Sequence, residues 1–317
     1  MKMMRLPKLL RKGYLQVSGG HSIYFEECGN PRGVPVIFCH GGPGAEFSEK
    51  HKQFFDSKLF HAIFFDQRGC GKSKSAHALE HNTTWDLVSD IAALQDHFKI
   101  SKSLIVGSSW GTTLALIFAI KHPQRVLGLL LTGIFLGTRA EIDFLYETAP
   151  RFFAPDISRE IDDTFGVSNR RVVSYFRSMN GKDLTRAALA IKLMSLSETA
   201  VISPQLDVEK VRSSMGAKKP NERDMICGQY MYHDCYLSRD FILQNVDKMA
   251  HLPVIIINGR HDLVCPPMTA DVLHQKLPRS KLFLVPGGHW SSEDGKKKVI
   301  IEQLNLLGKR FAKKMIE

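Results

Sequence analysis

Apolar residues along this chain follow two rhythms, and the change from one to the other divides it. Towards both ends, short apolar runs bounded by glycine, proline and asparagine alternate with stretches whose apolar residues recur every three or four positions. Residues 13–17 and 22–26 alternate apolar with polar and are joined through Ser18-Gly19-Gly20-His21, which predicts a β-hairpin. Runs at 35–39, 61–65, 103–106, 126–131, 253–259 and 281–285 predict buried strands. Helical spacing predicts helices at 85–94, capped by Thr83 and Thr84, at 112–119, and, basic and amphipathic, at 299–307. Strands alternating with helices imply an α/β fold, a mostly parallel sheet with helices on both faces. Between 134 and 240 the strand rhythm disappears. Helix-like segments such as 141–146 and 186–194 are broken near Pro150, Pro155, Gly166, Gly181, Pro204 and Pro220. The expectation is a helical cap, residues 134–240, inserted into a sheet domain made of 1–133 and 241–317.

The most informative local pattern is Gly107-Ser108-Ser109-Trp110-Gly111, set between the apolar run at 103–106 and the apolar helix at 112–119. A serine flanked by glycines two residues away on either side, between strand and helix, matches a nucleophile elbow. The turn is so sharp that side chains at the glycine positions would collide, and their absence lets Ser109 project above the sheet. Trp110 then follows at a helix N-terminus, where its backbone N–H can face a developing oxyanion.

The strand at 35–39 ends in His40-Gly41-Gly42-Pro43-Gly44. Glycines allow close approach of backbone to ligand, and a loop in this place supplies the second oxyanion donor, here Gly42. After 61–65 comes Asp66-Gln67-Arg68-Gly69-Cys70-Gly71-Lys72-Ser73. Its GCGKS resembles part of a phosphate loop but lacks the earlier glycine of the full pattern, so no nucleotide site is expected. An Asp66–Arg68 pair bracing the site is expected instead.

Asp262 and His289 each stand just beyond the carboxyl end of a predicted strand, where the catalytic groups of open α/β sheets gather. The chain order Ser109, Asp262, His289 is that of one of the three unrelated orders in which such triads occur. His289 would take the serine proton, and Asp262 would hold its tautomer. His21, His51, His61 and His97 are expected at the surface. No metal-ligand spacing such as H-E-x-x-H is present, and the expected chemistry requires neither metal nor other cofactor.

Composition narrows the partners. The chain carries 44% hydrophobic and 24% charged residues, as an ordinary soluble domain does. Its six cysteines, without a C-x-x-C pair, read as reduced thiols of a cytoplasmic protein. No signal peptide is expected from the basic N-terminal stretch, and no run reaches the roughly 18 residues of a membrane span. The net charge of +11 comes largely from scattered lysines and arginines near the two ends. Without interleaved aromatics or a recognition motif they predict solvated surface, and no nucleic-acid partner.

Taken together, HGGPG, DQRGCGKS, GSSWGTTLAL, NGRHDLVCP and GGHW resemble the proline iminopeptidase (prolyl aminopeptidase) family, as do IYFEECGNPRG and TWDLVSDIAAL. The resemblance implies an α/β-hydrolase fold with a helical cap, and metal-free release of an N-terminal proline from short peptides. It places the oxyanion donors on the N–H groups of Gly42 and Trp110. In that family two cap glutamates hold the substrate's free α-amino group. By motif the first is Glu198, in Met194-Ser195-Leu196-Ser197-Glu198, although both tryptophans of the pattern are missing. The second falls on Cys227, where this chain has no carboxylate; Asp224 and Asp234 lie nearby. An esterase or amidase with altered cap specificity is therefore the competing expectation, and a non-catalytic binding protein a more distant one.

Overall fold

The computed structural model describes residues 6–202, 207–214 and 222–316. Eight strands form one sheet: β1 (Leu9–Gln16), β2 (Ser22–Gly29), β3 (Val34–Cys39), β4 (Phe60–Phe65), β5 (Ser103–Ser108), β6 (Val126–Thr132), β7 (Val254–Gly259) and β8 (Ser280–Val285). Their order is β1-β2-β4-β3-β5-β6-β7-β8. Only β2 runs against the rest, pairing antiparallel with β1 and β4, while β4 through β8 pair in parallel. β1 begins four residues before the expected strand because its exposed first half, Leu9 to Lys12, has no buried face to impose alternation.

The period-2 geometry of a strand sorts neighbours to opposite faces. Ile37, Cys39, Ile63 and Ile105 join Leu87, Ile91, Leu114 and Ile117 in one buried cluster. Val36, Phe38, Phe64 and Val106 join Ile300 and Leu304 in the other. The first face is therefore covered by α1 (Thr84–His97) and α2 (Trp110–Lys121), the second by the long C-terminal helix. Each fully buried Leu, Ile or Phe contributes roughly 1.5–3 kcal/mol of transfer free energy. Thr83 caps α1 as expected, in a capping box with Asp86.

Between β6 and β7 the described residues are helical or irregular. The longer helices are α3 (Pro155–Phe165), α4 (Arg171–Met179), α5 (Leu184–Ile202), α6 (Val208–Ser214) and α7 (Glu222–Tyr232). Pro204 and Pro220, two of the expected breaks, lie outside the described residues. These helices share a core with the sheet: Tyr175, Leu193, Leu196 and Tyr230 belong to the same buried cluster as Trp110 and Leu114. α7 is tied down at the start of α1, where Tyr230 Oη donates to Asn82 Oδ1 at 3.1 Å. Beyond β7 follow α8 (Pro267–Lys276) and α9 (Asp294–Ile316), the helix that covers the second face.

Candidate active site

The turn from β5 into α2 has the strained geometry that its glycines anticipate. Ser109 has φ 54° and ψ −125°, a conformation that costs of the order of 1–3 kcal/mol unless its surroundings impose it. They do. The Ser109 N–H donates to Thr132 O at 2.9 Å, and its carbonyl accepts from Thr112 Oγ1 at 2.7 Å. A Cβ on Gly111 would stand 2.0 Å from Cys39 O, and one on Gly107 2.5 Å from Gly111 O. Backbone on backbone cannot yield at such distances, so both positions require glycine.

His289 Nδ1 lies 3.0 Å from both oxygens of Asp262. Asp262 is buried, and its Oδ1 also accepts the N–H groups of Val264 and Cys265 at 3.1 and 2.8 Å. Burial pushes the Asp262 carboxyl up. The charges of His289 and Lys296, with the bonds from His289 and the Cys265 N–H, outweigh burial and hold it below the usual carboxylate value. Gly133, at φ 65°, passes close behind: a Cβ there would stand 3.4 Å from His289 Cε1.

Ser109 and His289 open into one chamber of about 630 Å³, which Gly42, Glu198, Asp224 and Cys227 also line. Cys265 is buried beside Ser109, with Sγ 4.0 Å from Ser109 Oγ, its thiol pushed well up by burial. The HGGPG loop is held by a bonded chain. The Gln67 N–H donates to His40 Nε2 at 3.0 Å, so the ring proton sits on Nδ1, which donates to Gly41 O at 2.7 Å. That carbonyl belongs to the planar peptide whose other end is the Gly42 N–H, so holding one atom aims the other.

The roof comes from the segment between β6 and β7. On α7, Asp224, Cys227 and Met231 recur at helical spacing and share the chamber face; α5 contributes Lys192, Ser195 and Glu198. Tyr146, in a π-helical turn (Phe144–Thr148), joins the two helices. Its hydroxyl donates to Glu198 Oε1 and lies 3.8 Å from Cys227 Sγ. Burial pushes the Tyr146 phenol well above its ordinary value, so it remains a donor.

The alpha/beta hydrolase fold family matches residues 34–296. A probable proline iminopeptidase of Leptolyngbya boryana is 38% identical over 292 residues, 90% of each chain. The proline iminopeptidase of Arabidopsis thaliana is 39% identical over 290 residues, covering 89% of this chain and 76% of its own. The chain belongs to the proline iminopeptidase family of α/β hydrolases. It is accordingly a hydrolytic enzyme. An esterase from Exiguobacterium antarcticum has the same fold, with a TM-score of 0.65 at 19% identity over 94% of this chain and 99% of its own.

Within this iminopeptidase-family chain, two sequence expectations are corrected. Arg68 does not pair with Asp66. Its guanidinium takes Asp90 in a two-pronged bond at 2.7 and 2.7 Å and reaches Ser18 Oγ at 2.9 Å. Asp66 instead accepts the N–H groups of Phe47 and Lys72 at 3.1 and 2.8 Å, tying down the segment after the HGGPG glycines. β4 ends at Phe65, and beyond it the period-2 alternation lapses, so residues two apart no longer need share a face. His21 and His61 are buried rather than on the surface, bonded to Glu80 O and to Glu27 Oε1, both at 2.8 Å. His51 is half-buried and lines the chamber, while His97 is exposed.

The two candidates for the missing second carboxylate also separate. Asp234 pairs with Arg170 at 2.6 Å, whereas Asp224 lines the chamber one helical turn before Cys227. Sequence reasoning gave no role to Tyr146, Gln67 or Lys296, although Gln67 stands within DQRGCGKS, because their partners Glu198, Trp110 and Asp262 lie far along the chain. Among the described residues, no helix is long and apolar enough to cross a membrane.

Proposed function

We propose that this protein releases an N-terminal proline, or another small residue, from short peptides by a serine mechanism. Ser109 Oγ attacks the scissile carbonyl and passes its proton to His289, while Asp262 holds the imidazole and stabilises the imidazolium. The oxyanion of the tetrahedral intermediate takes the N–H groups of Gly42 and Trp110. His289 returns the proton to the leaving amine, which leaves a Ser109 acyl-enzyme. Water, activated by His289, then hydrolyses that ester. The helices 134–240 act as a cap that reads the substrate's ammonium group through Glu198 and Asp224.

The observation that carries this proposal is the placement of two carboxylates, Glu198 and Asp224, in the chamber that Ser109 and His289 share. A buried ammonium without carboxylate partners would cost several kcal/mol, so a chamber so lined suits a free N-terminus. The names of the curated relatives support the same substrate. Cys227 in place of a glutamate favours the second reading, an esterase or amidase that does not read the amine. The test of the nucleophile is Ser109→Ala: fluorophosphonate labelling is expected to vanish and proline-arylamide turnover to fall by several orders of magnitude, with the circular dichroism spectrum unchanged. Undiminished labelling of the variant would overturn the assignment.

A further inference from the structure

Lys296 is buried in the first turn of α9, a place that opposes a cation twice over: burial strips its water, and the helix N-terminus carries positive partial charge. Its surroundings offset this only in part, and burial still holds the Lys296 ammonium below the ordinary lysine value. Nζ donates to Gly288 O, donates to His289 O at 3.1 Å, and stands 4.0 Å from Asp262 Oδ2. Glu293, one turn earlier, accepts the Gly288 N–H at 2.8 Å. The two side chains thus hold the loop that carries His289 by every polar backbone atom of Gly288 and by the carbonyl of His289. The ionisable groups facing Lys296 are Asp262 and Cys265 from the loop after β7 and Glu293 from its own loop.

We propose that Lys296 is a positioning residue for the hydrolytic reaction: its side chain clamps the loop that carries His289 by two successive backbone carbonyls, beside Asp262. The proposal rests on the assignment of Asp262 and His289 above. Its consequence is kinetic: a His289 loop that is no longer held presents the imidazole to Ser109 in fewer productive geometries, which slows turnover and leaves substrate binding nearly as it was.

The experiment compares wild type with Lys296→Met, Lys296→Gln and Lys296→Arg, each normalised by fluorophosphonate titration so that only folded sites are counted. Both neutral variants are expected to lower kcat about 10- to 100-fold per titrated site with KM nearly unchanged, because the histidine loop is no longer held. Lys296→Arg keeps N–H donors for the two carbonyls and should recover most of that loss. Equal kcat per titrated site in wild type and a neutral variant, or a loss that falls on KM alone, would overturn the proposal. Should neither neutral variant fold, Glu293→Gln, which loosens the same loop at the Gly288 N–H, decides: a lowered kcat with KM unchanged sustains the proposal, and an unchanged kcat overturns it. Failure of the wild type itself to label would instead overturn the triad assignment.

Discussion

The indole Nε1 of Trp110 donates to Gln67 Oε1 at 2.9 Å, and the other end of the same amide donates to His40 O at 2.9 Å. One buried side chain therefore spans the two segments that carry the proposed oxyanion donors, the elbow and the HGGPG loop. Both donors must meet a single oxygen, and their separation is a tertiary quantity that neither segment sets alone. The direct pairing of β3 with β5 brings the two segments side by side, and Gln67 braces them, with each atom of its amide used in the orientation that its partners demand.

Replacing that amide tests its part. Gln67→Leu should lower kcat about 100-fold while leaving KM within a few-fold, since donors aimed at the transition state matter little to ground-state binding. The loss of two buried partners should also cost about 1–3 kcal/mol in urea unfolding. Equal kcat per titrated site in variant and wild type would separate Gln67 from the oxyanion hole.

Substrate choice should reside in the chamber roof. Glu198→Gln and Asp224→Asn are each expected to reduce kcat/KM for proline arylamide, with short acyl-ester hydrolysis hardly changed. Breaking a desolvated charge pair costs about 3–5 kcal/mol, which corresponds to a loss of several hundred-fold or more. Cys227→Glu, which adds a carboxylate beside Tyr146 and Glu198, should raise the ratio of arylamide to ester activity. A ratio that stays constant across the wild type and all three variants would give the esterase or amidase reading first place.

The Arg68–Asp90 pair should be a structural keystone and not a kinetic one. Both side chains are at most 1% exposed, and the arginine ties α1 to the turn between β1 and β2 through Ser18. Asp90→Asn leaves the buried guanidinium with only the more distant and partly exposed Asp86 carboxylate, 3.6 Å away, and is expected to lower stability by about 3 kcal/mol. Arg68→Met with Asp90→Leu should recover much of that loss. A thermal melt of the single variant within about 1 °C of wild type would show that the pair is not needed.

The strands, the helices over both faces and the elbow were legible in the sequence because their causes are local. The unbroken run at 61–65, or glycine at 107 and 111, follows from a strand buried on both faces and from steric exclusion within a few residues. The order Ser109, Asp262, His289 was legible because each of these residues follows a strand and strand ends converge on one edge of a parallel sheet. Partner choice was not. Arg68 could be matched to Asp66 on proximity along the chain, and only the packing of α1 against the sheet brings Asp90 to it. Lys296 reads in sequence as one of three successive lysines, yet it is the one turned inward, against Gly288, His289 and Asp262, by the angle at which α9 leaves the histidine loop. Glu198, Asp224 and Cys227 likewise acquire a common chamber only when α5 and α7 are laid over the elbow. Local sterics act within a turn or a strand and leave a pattern in neighbouring residues. Pairing across tens of residues depends on which faces are buried together, and the tertiary structure alone decides it.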